Sequence, residues 1–234
     1  MCTITFIPQS DNKFILTSNR DEAPGRETFP PAIYTENGVD LLYPKDAVAG
    51  GTWIGSSAKN RVVSIMNGGF VAHKRKATYR KSRGLVVKDL LIADDVVAEI
   101  NSYNFTDIEP FTVIIVDWNE KLRLFQLVWD GEIAHFSKER IQPRVWSSSP
   151  LYPSDLKAKR EQWFSDFLHK YPEPNLKNLL DFHRNAGDGD TISNLVMDRG
   201  FVKTKSITQI VKNENGLEMR YEDLQTKEIA VVRA

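Results

Sequence analysis

The sequence contains a single cysteine, Cys2. One thiol cannot close a disulfide within the chain, nor supply the ligand sets of structural zinc or iron–sulfur centres. Neither sign of charge is in excess. The 31 Lys and Arg are matched by 31 Asp and Glu, so no global field draws the chain to nucleic acid or an anionic bilayer. No apolar run approaches the roughly 18 residues that read as a membrane span. The first residues also lack the charged and apolar regions of a signal peptide, and the expected location is the cytoplasm. The histidines, His73, His135, His169 and His183, show no metal-ligand spacing and read as structural or solvated. No Cys-x-x-Cys-His is present, so any haem would be held reversibly. Asp188 and Asp190 look like a fragment of a calcium loop, but the bidentate Glu is missing.

What is present is an ordinary globular composition, 41% hydrophobic and 26% charged over 234 residues. That is enough chain for a full core, and it reads as one domain, 1–234. The first 22 residues read as a hairpin. Ile4 and Phe6 alternate with Thr3 and Thr5, the period-2 pattern of a half-buried strand. Pro8 to Lys13 is a breaker, and Phe14-Ile15-Leu16 resumes the strand. Pairing Ile7 with Phe14 puts Cys2 opposite Asn19, with Arg20 and Asp21 beside it. A thiol, a guanidinium and a carboxylate then meet at one strand end, as a nucleophile, a charge partner and an orienting acid would. Removal of Met1 would leave an N-terminal cysteine whose α-amine, of pKa about 8, can take the thiol proton. The competing reading of Cys2 is a small buried hydrophobe.

Further along, Phe29-Pro30-Pro31 breaks regular structure, and Asn37-Gly38 centres a short irregular hairpin from Tyr34 to Tyr43. Gly50-Gly51 is a backbone pivot before a strand at Thr52-Trp53-Ile54-Gly55. Asn67, at a strand end before Gly68-Gly69, sits where oxyanion donors tend to lie, but from the residues alone it reads more readily as a turn asparagine. His73 to Arg83 is strongly basic, either a loop that meets an anion or a solvated loop balanced by acid elsewhere. Ser82 reads as the cap of one helix and Asp94-Asp95 as the cap of a second turn. Phe111–Asp117, Leu122–Trp129 and Glu132–Phe136 form an antiparallel meander turned by Asn119-Glu120-Lys121 and Asp130-Gly131. Pro143 to Pro153 is a serine-rich connection. Ser154 caps a helix with Leu156, Arg160, Trp163, Phe164, Phe167 and Leu168 on one face, and Asn175 starts another with Leu176, Leu179, Leu180 and His183. Strands are expected at Ile192–Met197, Lys205–Val211, Leu217–Tyr221 and Ile229–Val232.

Met-Cys-Thr at the start, Ser18-Asn19-Arg20-Asp21-Glu22, Gly50-Gly51-Thr52-Trp53-Ile54-Gly55, Asn67 and Ser82-Arg83-Gly84 together resemble the NRDE family, the family of transport and Golgi organisation protein 2. That family in turn resembles N-terminal-nucleophile (Ntn) hydrolases of the choloylglycine hydrolase and penicillin V acylase type. The resemblance implies an α+β fold, a four-layer αββα Ntn-hydrolase-like sandwich of antiparallel sheets; a two-layer α+β domain is the alternative from periodicity. It implies catalytic positions at Cys2, Arg20, Asp21 and Asn67, the last as an oxyanion donor. Asn19, Trp53, Arg80, Arg83 and Ser148 are candidate ligand-binding residues. The chain departs from the hydrolases at Ser148, where they carry a second asparagine, and losing one oxyanion donor costs about 10²–10³ in rate.

Two functions follow. One is a handler of a small hydrophobic anion, haem or an acyl lipid such as acyl-CoA, in keeping with the family's links to haem trafficking and lipid homeostasis. It would require no cofactor, with haem as a bound ligand only. The other is an Ntn cysteine amidase or acyltransferase acting on a linear or cyclic amide. Nucleic acid is not an expected partner, and the sequence is silent on oligomeric state.

Overall fold

The structure, a computed structural model, describes residues 2–10, 12–149 and 154–234, and of Cys2 the backbone only. Met1, the Cys2 thiol and Pro150 to Pro153 lie outside the described residues. The contacts divide the chain into two units, Met1–Arg26 with Gln142–Ala234, and Glu27–Ile141.

The first unit contains the strands β1 (Cys2–Pro8) and β2 (Phe14–Glu22). The second contains β3 (Thr28–Glu36), β4 (Val39–Asp46), β5 (Ile54–Ser57), β6 (Arg61–Asn67), β7 (Phe111–Asp117), β8 (Arg123–Trp129) and β9 (Ala134–Glu139), with helices α1 (Arg83–Ile92) and α2 (Val96–Ser102). The chain then returns to the first unit with β10 (Arg144–Ser147), helices α3 (Ser154–Lys170) and α4 (Leu176–Asn185), and strands β11 (Lys203–Asn213), β12 (Gly216–Asp223) and β13 (Ile229–Arg233). The first unit's sheet runs β10-β1-β2-β11-β12-β13 and the second's β3-β4-β5-β6-β7-β8-β9. Every named pairing in both sheets is antiparallel.

The second sheet is a meander whose neighbours in sequence are neighbours in space, joined by short connections except between β6 and β7, where residues 68–110 carry α1 and α2. Phe111–Asp117 is buried throughout, as its unbroken apolar run requires. Arg61, 1% exposed, is held there by the Asp117 carboxylate at 3.2 Å and by the Leu90 and Ala93 carbonyls at the end of α1, at 2.8 and 2.7 Å. In the first unit, α3 packs on β10 and α4 on β2 and β11. Ile7, Ile15 and Val211 meet Phe164, Phe167, Leu179 and Phe182 in one apolar cluster. Asn175 caps α4 through a reciprocal capping box with Asn178, and Asp95 caps α2 through the Val97 and Ala98 amides. Ser82 occupies the cap position of α1 without a side-chain cap bond.

Several elements differ from expectation. The hairpin register is shifted by one residue: Ile7 pairs with Ile15, and Cys2 with Arg20 rather than Asn19. Pro8, counted as a breaker, ends β1 opposite Phe14. Pro30 and Pro31 lie inside β3, an edge strand whose register shifts between Phe29 and Ala32; an edge and an irregular ladder accommodate missing amide hydrogens. Part of the serine-rich connection is β10, which pairs with β1. Residues 192–197 form turns, not a strand. The half-buried reading of the hairpin also changes, since Thr3, Thr5, Thr17 and Asn19 are as buried as Ile4 and Phe6.

Candidate functional site

Three neighbouring strands bring the first unit's candidates to one end of its sheet. Cys2 pairs with Arg20 across β1–β2. On the other side of β1, Thr3 pairs with Ser147, the last residue of β10. Ser148 therefore follows at the next position along, level with Cys2, and is 1% exposed. Because a strand's side chains alternate, the observed register puts Arg20, not Asn19, at the pleat position matching Cys2.

Arg20 is buried and lies 4.0 Å from the Glu22 carboxylate. A register shift between Thr204 and Ser206 leaves Lys205 as an extra residue of β11 beside β2. Its ammonium donates to the Pro24 carbonyl at 3.0 Å and to that of Arg26. Burial, and then the Arg20 charge, lower its pKa, which marks two cations near each other. Asp21 is buried, and its Oδ1 accepts from the Thr204 hydroxyl at 2.7 Å.

Asn19 points to the helices. Its amide nitrogen donates to the carbonyls of His183 at 3.0 Å and Leu195 at 2.9 Å. With both amide hydrogens engaged, Oδ1 is the acceptor for His183 Nδ1 at 2.5 Å. The imidazole therefore carries its proton on Nδ1, and Nε2 accepts from the Thr5 hydroxyl at 2.7 Å. Burial, with the Arg160 charge, pushes the His183 imidazole down to about 3. Arg160, wholly buried, donates to the Thr3 hydroxyl and to the carbonyls of Ser193 at 3.0 Å and Asn194 at 2.8 Å. These contacts give Asn19 a structural task.

The remaining candidates belong to the second unit. Asn67 ends β6 opposite Phe111, and the next residue, Gly68, has φ 84°. The Gly68 amide donates to the Pro110 carbonyl at 2.8 Å. Trp53 is buried just before β5, its carbonyl accepting from the Ile65 amide at 2.8 Å. The basic run is balanced by acid. His73, Arg75 and Arg83 face Glu109 at 3.3, 3.9 and 3.0 Å, Lys76 faces Asp107 at 2.9 Å, and Lys81 pairs with Asp89. Arg80 donates to the Thr106 carbonyl at 3.0 Å and to the Asn104 carbonyl. The run thus pins residues 104–109 to the start of α1. Gly51 and Gly84 explain two of the sequence motifs sterically. A Cβ on Gly51 would lie 2.5 Å from the Gly84 carbonyl carbon, so the two backbones cross where only glycine fits.

Sequence reasoning placed Arg160 and His183 on the apolar faces of their helices but gave them no task. Their presence on those faces was itself the signal, since a buried Arg or His needs partners. Among the described residues no group of three or more His, Cys, Asp or Glu is placed to hold a metal, and no helix is long and apolar enough to cross a membrane.

In fold the chain is similar to several solved structures. A variant of conjugated bile acid hydrolase from Clostridium perfringens aligns over 99% of this chain and 92% of its own, with TM-score 0.62 at 12% identity. The Caenorhabditis elegans ortholog of N-acylethanolamine-hydrolyzing acid amidase covers 90% of this chain and 92% of its own, with TM-score 0.60 and 14% identity. Penicillin V acylase from Agrobacterium tumefaciens covers 100% and 86%, with TM-score 0.57 and 10% identity. These likenesses bear out the α+β fold of antiparallel sheets expected from the sequence. No curated protein sequence matches the chain. Residues 1–187 match the sequence model of Transport and Golgi organisation 2, and the chain belongs to that family.

Proposed function

We propose that the strand end carrying Cys2 and Arg20 is a binding site for a small hydrophobic anion, a haem or an acyl lipid such as an acyl-CoA, which the protein holds and passes on. One observation carries the reading: a buried guanidinium paired in register with the only cysteine of the chain. A guanidinium offers planar, paired donors that match a carboxylate or a phosphate. Arg20, buried beside Cys2, is the cation this reading gives to the anion. Titration calorimetry with hemin and with palmitoyl-CoA tests this. Arg20→Met is expected to weaken binding at least tenfold, Arg20→Lys less, and Cys2→Ala to stay within a few-fold. Unchanged affinity in Arg20→Met, with the fold verified by circular dichroism, overturns it.

A second reading is amide hydrolysis, favoured by the names of the similar structures, which act on conjugated bile acids, N-acylethanolamines and penicillin V. In it Cys2 attacks the carbonyl, its α-amine takes the thiol proton once Met1 is removed, Asp21 orients the amine, and Asn67 donates to the oxyanion. Ser148 takes the second donor's position with a shorter side chain. Intact-mass spectrometry showing loss of one methionine, together with amide turnover abolished in Cys2→Ala, would establish this reading and displace the carrier.

A further inference from the structure

The face of β1, β2 and β11 that meets the helices changes character along its length. Far from Cys2 it is apolar, with Ile7, Ile15 and Val211 against Phe164, Phe167, Leu179 and Phe182. Towards Cys2 and Arg20 it is mostly polar, with Thr3, Thr5, Asn19, Asp21 and Thr204, each under 5% exposed, beside the buried Ile207. Apolar side chains would fill that layer at lower risk, because a buried polar group that loses its partner is costly. Every polar member of this group is nonetheless paired: Thr3 with Arg160, Thr5 and Asn19 with His183, and Asp21 with Thr204.

The paired residues alternate with, or directly adjoin, the proposed site. Thr3 follows Cys2, and Asn19 and Asp21 flank Arg20. The same groups hold the turns after α4. Arg160 takes the carbonyls of Ser193 and Asn194, Asn19 and Thr204 both approach that of Leu195, and the Met197 amide donates to Thr204 Oγ1 at 2.9 Å. Directional bonds of this kind select one register where apolar contacts would tolerate several. A slip of one residue would put Asn19 opposite Cys2, carry Arg20 to the helix face and break the bonds of Thr3, Thr5 and Asn19 together.

We infer that His183 and Arg160 are positioning residues: acting through Thr5, Asn19 and Thr3, they fix the strand ends that carry Cys2 and Arg20 and clamp residues 193–197 onto them. The inference rests on the proposed site only for what the held residues do. It asks of each side chain something specific. His183 must donate from Nδ1 and accept at Nε2, which a neutral imidazole does and an apolar residue of similar size does not.

The test uses the full chain and four variants. Thr5→Val removes one donor at constant size, and keeps the question open should His183→Leu fail to fold. His183→Asn restores an amide donor towards Asn19. Phe164→Leu, in the apolar part of the same layer, serves as a control that lowers the melting temperature without touching the network. Hydrogen exchange followed by mass spectrometry reads the strand ends, 2–5 and 18–21, and the pH profile of Cys2 alkylation by iodoacetamide reads the thiol. Exchange at both strand ends is expected to rise at least tenfold in Thr5→Val and His183→Leu, with partial recovery in His183→Asn. The alkylation rate at pH 7 is expected to change at least threefold in the same two variants, and Phe164→Leu to leave both readouts as in the native chain. Network variants that behave like Phe164→Leu overturn the inference. Faster exchange in a chain whose native thiol reacts as a free thiol, with or without Arg20, supports the positioning role and overturns the proposed site.

Discussion

At the scale of single residues, His183 couples the fold to pH. Its imidazole is buried and neutral, with a folded pKa of about 3 against the ordinary 6.5. Protonation therefore favours the unfolded chain. The contribution is fully present above the ordinary value and is lost as pH falls from there towards the folded value, at up to about 1.4 kcal/mol per pH unit. Melting temperatures measured from pH 7 down to 4 should fall, and His183→Asn, which cannot titrate, should show a shallower decline. Parallel slopes would mean that other groups govern the acid limb. Arg20 carries a second expectation, because a nearby cation stabilises a thiolate. Iodoacetamide should modify Cys2 faster than a model thiol at pH 7, and Arg20→Ala should slow it. A rate no faster than the model thiol would make Cys2 a packing residue.

At the scale of elements, the crossing of Gly51 under the first turn of α1 fixes where that helix begins. The Thr52 amide donates to the Gly84 carbonyl at 3.2 Å, and a Cβ on Gly84 would lie 2.9 Å from that same amide nitrogen. Backbone on both sides leaves no flexible group to yield. Gly51→Ala is expected to destabilise by about 1–3 kcal/mol or more, the range for forced overpacking, and chemical denaturation would measure it. The control is Gly25→Ala, which meets nothing within 4 Å and should be near neutral. The elements themselves were partly legible. The cap at Asn175, the Asp130-Gly131 turn and the apolar run of β7 follow from local chemistry. The register of the first hairpin did not, because residues 8–13 admit more than one turn and the partner that settles the pairing comes from far along the chain. Nor did β10, whose four residues carry no pattern of their own and gain strand form by pairing with β1.

At the scale of the whole molecule, the first unit is assembled from both ends of the chain. β2 lies between β1 and β11, so residues 14–22 depend on residues 203–213 for half of their ladder. The family match ends at residue 187, yet a chain cut there would lose β11, β12 and β13 and leave β2 as an unpaired edge. Such a truncation is expected to be insoluble or to melt without cooperativity. Removal of 229–234 alone, which takes away only the edge strand β13, should leave a cooperative transition at lower temperature. Circular dichroism melts of the two truncations decide between them, and a cooperative transition in the shorter one would show that β11 is dispensable.

The sequence alone determined the family, the α+β class and the neighbourhood of Cys2, Arg20 and Asp21, because these rest on local motifs and on period-2 and helical patterns that survive without tertiary context. Tertiary structure alone decided that Arg20 rather than Asn19 pairs with Cys2, that Thr3, Thr5 and Asn19 face buried helices rather than water, and that the basic run meets Glu109, Asp107 and Asp89. The reason is physical. Alternation tells which residues share a face, but what covers that face, and which acid neutralises a given base, depends on segments that meet only when distant parts of the chain have folded together.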